Sequence, residues 1–195
     1  MVQANSLNLA TLSEGAEKCL ENAERLFKDA RTLAGNGSYS TAVFLYQSSI
    51  EECAKIDLIG RWATSLLGGA AIDAAKLKKS LSAHRSKNNA NAYDLKPTQA
   101  ELLARSAGNW DAARSEFAKT QLDFRDESMR LRNAALYVDF RDGTFVAPQD
   151  IVPSATAAAL EKFNMDHIHA KRGMVALLKR WLDNPAHGHD EITNF

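Results

Sequence analysis

Arg132 is followed by Asn133 and, five residues after the arginine, by Tyr137, with Arg125 and Arg130 just upstream. A guanidinium offers paired, planar N–H donors to a phosphate. A proton-transferring side chain a little over one turn along would stand beside that phosphate as acid or base. Spacing alone leaves the same residues open to a plainer role, as packing and solvation at a helix end. A second group is the densest basic cluster of the chain, Lys76, Lys78, Lys79, His84, Arg85 and Lys87. It is either a phosphate contact or a solvated charge run. A third lies in Ser49-Ile50-Glu51-Glu52-Cys53-Ala54-Lys55, where Glu51 stands one turn before Lys55 and Glu52 falls on a stripe that otherwise reads apolar. A carboxylate on such a stripe costs free energy unless it is paired. Glu52 and Lys55 therefore make an ordinary salt bridge or face a polar cleft.

Other chemistries lack their parts. His167 and His169 are two apart, so on a helix they point away from each other, and His187 and His189 fall in the tail with no accompanying carboxylate triad; a metal site is not expected. Cys19 and Cys53 lack the spacing of a zinc site and read as reduced, packed thiols. No GxSxG, P-loop, Rossmann fingerprint or HExxH occurs, which removes the mechanical basis for serine hydrolase, nucleotidase, dinucleotide and zincin readings.

The elements that must position these residues read as helices. Leu9, Leu12, Ala16, Leu20, Ala23, Leu26, Phe27, Ala30 and Leu33 recur at spacings of three and four, one helical stripe that Gly35-Asn36-Gly37 ends. A second helix, capped by Ser38 or Ser40, runs to about Leu67 with Ala42, Leu45, Ser49, Glu52 and Ile56 on one face. The short connection makes the two antiparallel neighbours. Ala70 to Leu81 predicts a shorter helix, His84 to Lys96 a polar loop, and Pro97-Thr98 the start of a long helical stretch to about Leu136 with a break at Gly108-Asn109. Residues 137–148 carry the alternation and Asp142-Gly143 turn of a small hairpin. Pro148 and Pro153 bracket a loop, and Ser154 caps a last helix to about Leu182. Asp183-Asn184-Pro185 stops it, leaving 184–195 as a polar tail. The fold class expected is all-α, an antiparallel bundle of about five helices with a hairpin-like excursion. It forms a single domain over 1–195 with its core at about 9–183. Ala30 to Ile50 echoes one tetratricopeptide unit, but a solenoid needs about three.

With 45% hydrophobic and 25% charged residues, the chain can bury a core and is too apolar to be disordered. Its 24 basic and 24 acidic residues balance, so any nucleic-acid contact must use a local patch rather than a global field. Met1 to Leu12 does not read as a signal peptide and no run approaches a membrane span. A cytoplasmic protein without membrane contact is expected.

Ser49 to Lys55, His84-Arg85-Ser86-Lys87, and Glu127-Ser128-Met129-Arg130 running into Leu136-Tyr137-Val138-Asp139-Phe140 with Gly143 and Pro148 resemble the AbiV family of the HEPN superfamily. The resemblance keeps the same order over roughly Leu26 to Leu182. It implies a HEPN helical bundle, usually dimeric, linked to abortive infection against phage. Many HEPN proteins are metal-independent endoribonucleases that need no cofactor. Their Arg-polar-x(3–5)-His motif pairs across the dimer, the arginine stabilising the scissile phosphate and the histidine helping the ribose 2′-hydroxyl attack it. Carried over, Arg132 and Asn133 match the start of that motif, and Tyr137 occupies the histidine position. A phenol, with an ordinary pKa near ~10, is a poor base at neutral pH, so catalysis would need a perturbed or donating Tyr137, or His84 arriving from elsewhere. Glu52, Lys55, Lys87 and Arg130 are then expected to line the substrate cleft. RNA is the expected substrate and a second copy the expected partner. A phage-protein trigger and a neutralising antitoxin also remain open. The rival reading is a non-catalytic HEPN-fold protein that binds a phage or translation component.

Overall fold

The computed structural model describes residues 7–193; the reading of the extreme N-terminus falls partly, and that of the last two tail residues wholly, outside them. Four long helices form the frame: α1 (Leu9–Gly35), α2 (Tyr39–Leu67), α6 (Trp110–Leu136) and α8 (Ser154–Asp183). Between and after them lie α3 (Ala74–Ser82), α4 (His84–Asn91), α5 (Gln99–Ser106), α7 (Pro148–Ile151) and α9 (Pro185–Thr193). A 3-10 turn (Ala92–Asp94) follows α4, and β1 (Asp139–Arg141) pairs antiparallel with β2 (Thr144–Val146). The all-α class holds. The helices outnumber the five expected because α4, α7 and α9 form in stretches that read as loop or tail.

Local chemistry accounts for most boundaries. Asn8 caps α1 by accepting from Thr11 N at 2.9 Å, Asn109 caps α6 by accepting from Ala112 N at 3.1 Å, and Thr98 caps α5 by accepting from Glu101 N at 3.1 Å. Each satisfies a donor that the first helical turn leaves orphaned. At the hairpin, Asp142 and Gly143 both sit at positive φ, 48° and 83°, the geometry of a two-residue type I′ turn. Ser154 is not a cap: it is already the first residue of α8, preceded by Pro153, which offers no side-chain bond.

α1 and α8 run antiparallel, as cross-helix pairs show: Glu24 of α1 meets Arg172 of α8 and Arg31 meets Glu161. Ala16, Ala23 and Ala30, seven apart on α1, are completely buried, and their small size lets α2 approach closely. One end of the core packs Leu12, Ile56, Ile59, Leu178 and Trp181, and the other packs Val43, Tyr46, Ala135, Val152 and Ala157. Each large aliphatic side chain so buried contributes about 1.5–3 kcal/mol.

Two regions differ from expectation. His84 to Lys96 is not a loop: its first eight residues form α4, with Lys87, Asn88 and Asn91 buried beside Ala90, which packs on Ala54 and Leu58. The tail is not free either, because α9 folds back so that Trp181 Nε1 donates to Glu191 Oε2 at 2.6 Å and His189 Nδ1 lies 3.0 Å from Leu67 O. No helix of the described residues is long and apolar enough to cross a membrane.

Candidate active site

Glu51 projects from the middle of α2 and is buried, with 6% of its surface exposed. Three basic side chains from two other helices converge on its carboxylate. His84 Nδ1 lies 2.8 and 2.9 Å from its two oxygens, Lys87 Nζ donates at 2.6 Å, and Arg132 NH1 donates at 3.1 Å. His84 and Lys87 are three apart on α4, the spacing that puts two side chains on one helical face.

That helix has no apolar stripe to dock with, so its backbone is tied down by side-chain amides. Asn91 Nδ2 donates to Ile50 O at 3.1 Å, and Gln121 Nε2 of α6 donates to Asn89 O at 3.1 Å. Arg132 is oriented from a second side, its guanidinium lying over the Phe44 ring at 4.9 Å from the centroid, a cation–π contact.

Burial pushes the Glu51 carboxyl up, and the hydrogen bonds and charges of Lys87 and His84 outweigh it, holding the group below the usual carboxylate range. An ionised Glu51 accepts only, so His84 Nδ1 carries the proton of that bond. A neutral ring keeps Nε2, on a side chain that is 47% exposed, as the atom that can accept a proton from a ligand. With His84 neutral, the four side chains carry a net positive charge, the local basic patch that a neutral chain needs to meet a phosphate.

The expected site residues divide among three places. His84, Lys87 and Arg132 come together. Glu52 and Lys55 pair with each other at 2.6 Å on a different face of α2, as the salt-bridge alternative has it. Arg130, Asn133 and Tyr137 lie on the far side of α6. A helix turns about 100° per residue, so the mean direction of these three is well over 90° from Arg132. They line a cavity of about 490 Å³ with Ala134, Val138, Asp139 and Arg141, and Arg132 is not part of its wall. Glu51, the residue on which the cluster is built, is not among the site residues that the sequence pattern singles out. The signal that could have found it is that Val43, Ile50, Ala54 and Leu58 mark a second apolar face of α2, so position 51 could not be a solvent position.

The model of the AbiV family, within the HEPN group, matches residues 11–168 of this chain. The chain belongs to the AbiV family. The match takes in all of Glu51, His84, Lys87 and Arg132. The chain is also 36% identical over 109 residues to the uncharacterised protein y4gJ of Sinorhizobium fredii, an alignment covering 54% of this chain and 57% of the relative. The chain thus spans a little over half the length of that curated relative. No solved structure matches.

A second polar network in this AbiV protein fixes the other end of α4. Lys171 Nζ of α8 donates to Asp94 Oδ2 at 2.6 Å and lies 2.8 Å from Asp57 Oδ2. Its side chain is only 4% exposed. Burial lowers the Lys171 ammonium and the two aspartates more than offset this, leaving it above its ordinary value. His167 donates from Nδ1 to Phe163 O at 2.9 Å, and burial pushes its pKa down. Neither this network nor any other group of three or more His, Cys, Asp or Glu among the described residues could hold a metal ion.

Proposed function

We propose that this AbiV protein is an abortive-infection effector that cleaves RNA without a metal, by attack of a ribose 2′-hydroxyl on the adjacent phosphorus. The observation that carries this reading is the convergence of His84, Lys87 and Arg132 on the single carboxylate of Glu51. Arg132 uses one nitrogen on Glu51 and has no other protein acceptor among the described residues, so its remaining N–H groups are available to a scissile phosphate. His84 takes the 2′-hydroxyl proton at Nε2, the role an imidazole is best matched to near neutral pH. The 2′-oxygen bonds to phosphorus, the bond from phosphorus to the 5′-oxygen breaks, and water protonates that oxygen. The products are a 2′,3′-cyclic phosphate and a 5′-hydroxyl. Glu51 holds the imidazole tautomer, and Lys87 keeps Glu51 ionised.

The effector acts in the cytoplasm as a homodimer, through the face of α6 beside Arg132 where Leu122, Met129 and Leu136, seven apart, are 47%, 40% and 37% exposed. Apolar residues at that spacing suit a helix-to-helix seam. A phage protein that triggers it or an antitoxin that neutralises it is the class of partner such an effector answers to.

The test is incubation of the purified protein with total RNA and tRNA in EDTA, wild type beside Arg132→Ala and His84→Ala. Fragments with cyclic-phosphate ends, lost in Arg132→Ala and slowed about 10²- to 10⁴-fold in His84→Ala, are expected. Full cleavage and full toxicity in Arg132→Ala would remove this site assignment. Intact RNA throughout, with stoichiometric capture of a partner, would favour the binding reading. That alternative draws on the hairpin's Phe140 and Phe145, 61% and 80% exposed with ring centroids 5.0 Å apart.

A further inference from the structure

Resting on the ribonuclease reading for its choice of ligand, we propose that the cavity between the end of α6 and β1 is a nucleobase site. It lies apart from the Glu51 cluster and takes one unstacked base of single-stranded RNA. Its volume of about 490 Å³ falls within the roughly 300–1,000 Å³ usual for small-ligand pockets. Its walls supply the three things a base needs.

The first is a stacking surface. Tyr137 follows the last turn of α6 with 63% of its surface exposed, and an open aromatic ring accepts any base on its face. The second is a base-edge reader. The Asn133 amide carries both donor and acceptor and makes no hydrogen bond to protein among the described residues, so both are free for a Watson–Crick or Hoogsteen edge.

The third is a set of charged groups whose charges are already offset. Arg141 Nε donates to Asp139 Oδ2 at 2.7 Å, and Arg130 donates from Nε and NH2 to Glu127 at 2.7 and 2.6 Å. Each guanidinium is thereby oriented by its own carboxylate and keeps unused N–H groups. Neutralised pairs of this kind suit the edge of an uncharged base better than a bare phosphate, which would favour the uncompensated cations of the Glu51 cluster. Asp139 and Arg141 share one face of β1 because they are two apart on a strand, and Ala134 and Val138 give the cavity an apolar wall.

Since Arg132 faces away from this cavity, the base held here and the scissile phosphate belong to different nucleotides. The strand joining them crosses α6, about 10–12 Å wide with its side chains. Tyr137 then serves as a platform for a base and takes no part in proton transfer.

The experiment measures binding, so that a protein that fails to cut RNA still reports on this site. A fluorescein-labelled single-stranded RNA in 2′-O-methyl form, which has no nucleophile to cleave it, is titrated with wild type, Tyr137→Ala, Tyr137→Phe and Asn133→Ala. AMP, GMP, CMP and UMP are titrated in parallel by calorimetry. Tyr137→Ala is expected to weaken RNA binding about 5- to 150-fold, the range for loss of one stacked base, with Tyr137→Phe within about twofold of wild type and Asn133→Ala weakened. Saturable mononucleotide binding that Tyr137→Ala abolishes would identify a free nucleotide as a sufficient source of the base. RNA binding alone would identify a base within a strand. Tyr137→Ala and Asn133→Ala binding the RNA and every mononucleotide as wild type does would overturn the proposal, as would a wild type that binds none of them.

Discussion

Replacing Glu51 with glutamine removes one charge from a buried cluster while keeping its shape, and the cost follows from who is left behind. Lys87 has only 8% of its side chain exposed and its ammonium is 2.6 Å from the carboxylate. Breaking a buried ion pair by deleting one partner costs about 3–5 kcal/mol, because the surviving charge cannot be solvated. For a chain of this size each kcal/mol moves the melting temperature by about 2–4 °C, so Glu51→Gln should melt roughly 6–20 °C early. Lys87→Met is expected to cost less, about 1.5–3 kcal/mol, the worth of one hydrogen bond to a charged group. In that variant Glu51 keeps His84 and Arg132. Once Glu51→Gln is in place, however, Lys87→Met removes a stranded cation and should be almost free or stabilising. Urea denaturation of wild type, both single variants and the double variant closes the cycle, with an expected coupling of about 2 kcal/mol. Single effects that add to within ~0.5 kcal/mol, the behaviour of independent sites, would refute the pairing and with it the argument that Glu51 organises the site.

Three further outcomes are expected. His167 is held below its ordinary value of 6.5, chiefly by burial; the unfolded chain then binds a proton that the folded one refuses, so stability falls as pH drops below about 6.5. His167→Gln should flatten that part of a denaturation-versus-pH curve. The loss from Glu51, whose carboxyl is held below its ordinary value of 4.5, begins only under pH 4.5 and should persist in the same variant. A Cβ added at Gly188 would sit 2.9 Å from Trp181 Cγ and Cδ1. Gly188→Val should therefore cost about 1–3 kcal/mol by overpacking, with faster hydrogen exchange across residues 185–193 as its signature. Burial pushes the Cys19 thiol up to about 11 and the Cys53 thiol to about 12. At pH 8 Ellman's reagent should label the native thiols at least roughly 100-fold more slowly than the urea-unfolded chain, because the thiolate is the reactive form.

Where burial is apolar, the order of residues announces it. The breaks at Gly35-Asn36-Gly37 and Gly108-Asn109, the stripe of α1 and the Asp142-Gly143 turn are all written in local backbone preference or in a period of three and four. That is why the frame of four long helices and the hairpin was legible. The short helix α4 was not, since His84-Arg85-Ser86-Lys87-Asn88-Asn89-Ala90-Asn91 contains nothing for a hydrophobic pattern to find. Its buried face is Lys87, Asn88, Ala90 and Asn91, and Lys87 and Asn91 are tolerable there because the Glu51 carboxylate and the Ile50 carbonyl of α2 wait for them.

The same reason hides the site. A single stripe through Ala42, Leu45, Ser49, Glu52 and Ile56 describes a helix with one wet side. α2 has Ala42, Val43, Tyr46, Ile50, Cys53, Ala54 and Ile56 all buried, so it is packed on most of its circumference and a single stripe passes over Glu51. Neighbouring positions on a helix differ by about 100° in direction, enough to send Glu52 to Lys55 and Glu51 to the three cations. The same geometry separates Arg132 from Asn133 and Tyr137 within one copy of the chain. Their spacing is a pattern along the chain, and α6 spreads it around its axis. Short-range spacing can thus name the chemistry available on an element. Which of those groups meet depends on how far around each helix the core extends, a property of the helices packed against it.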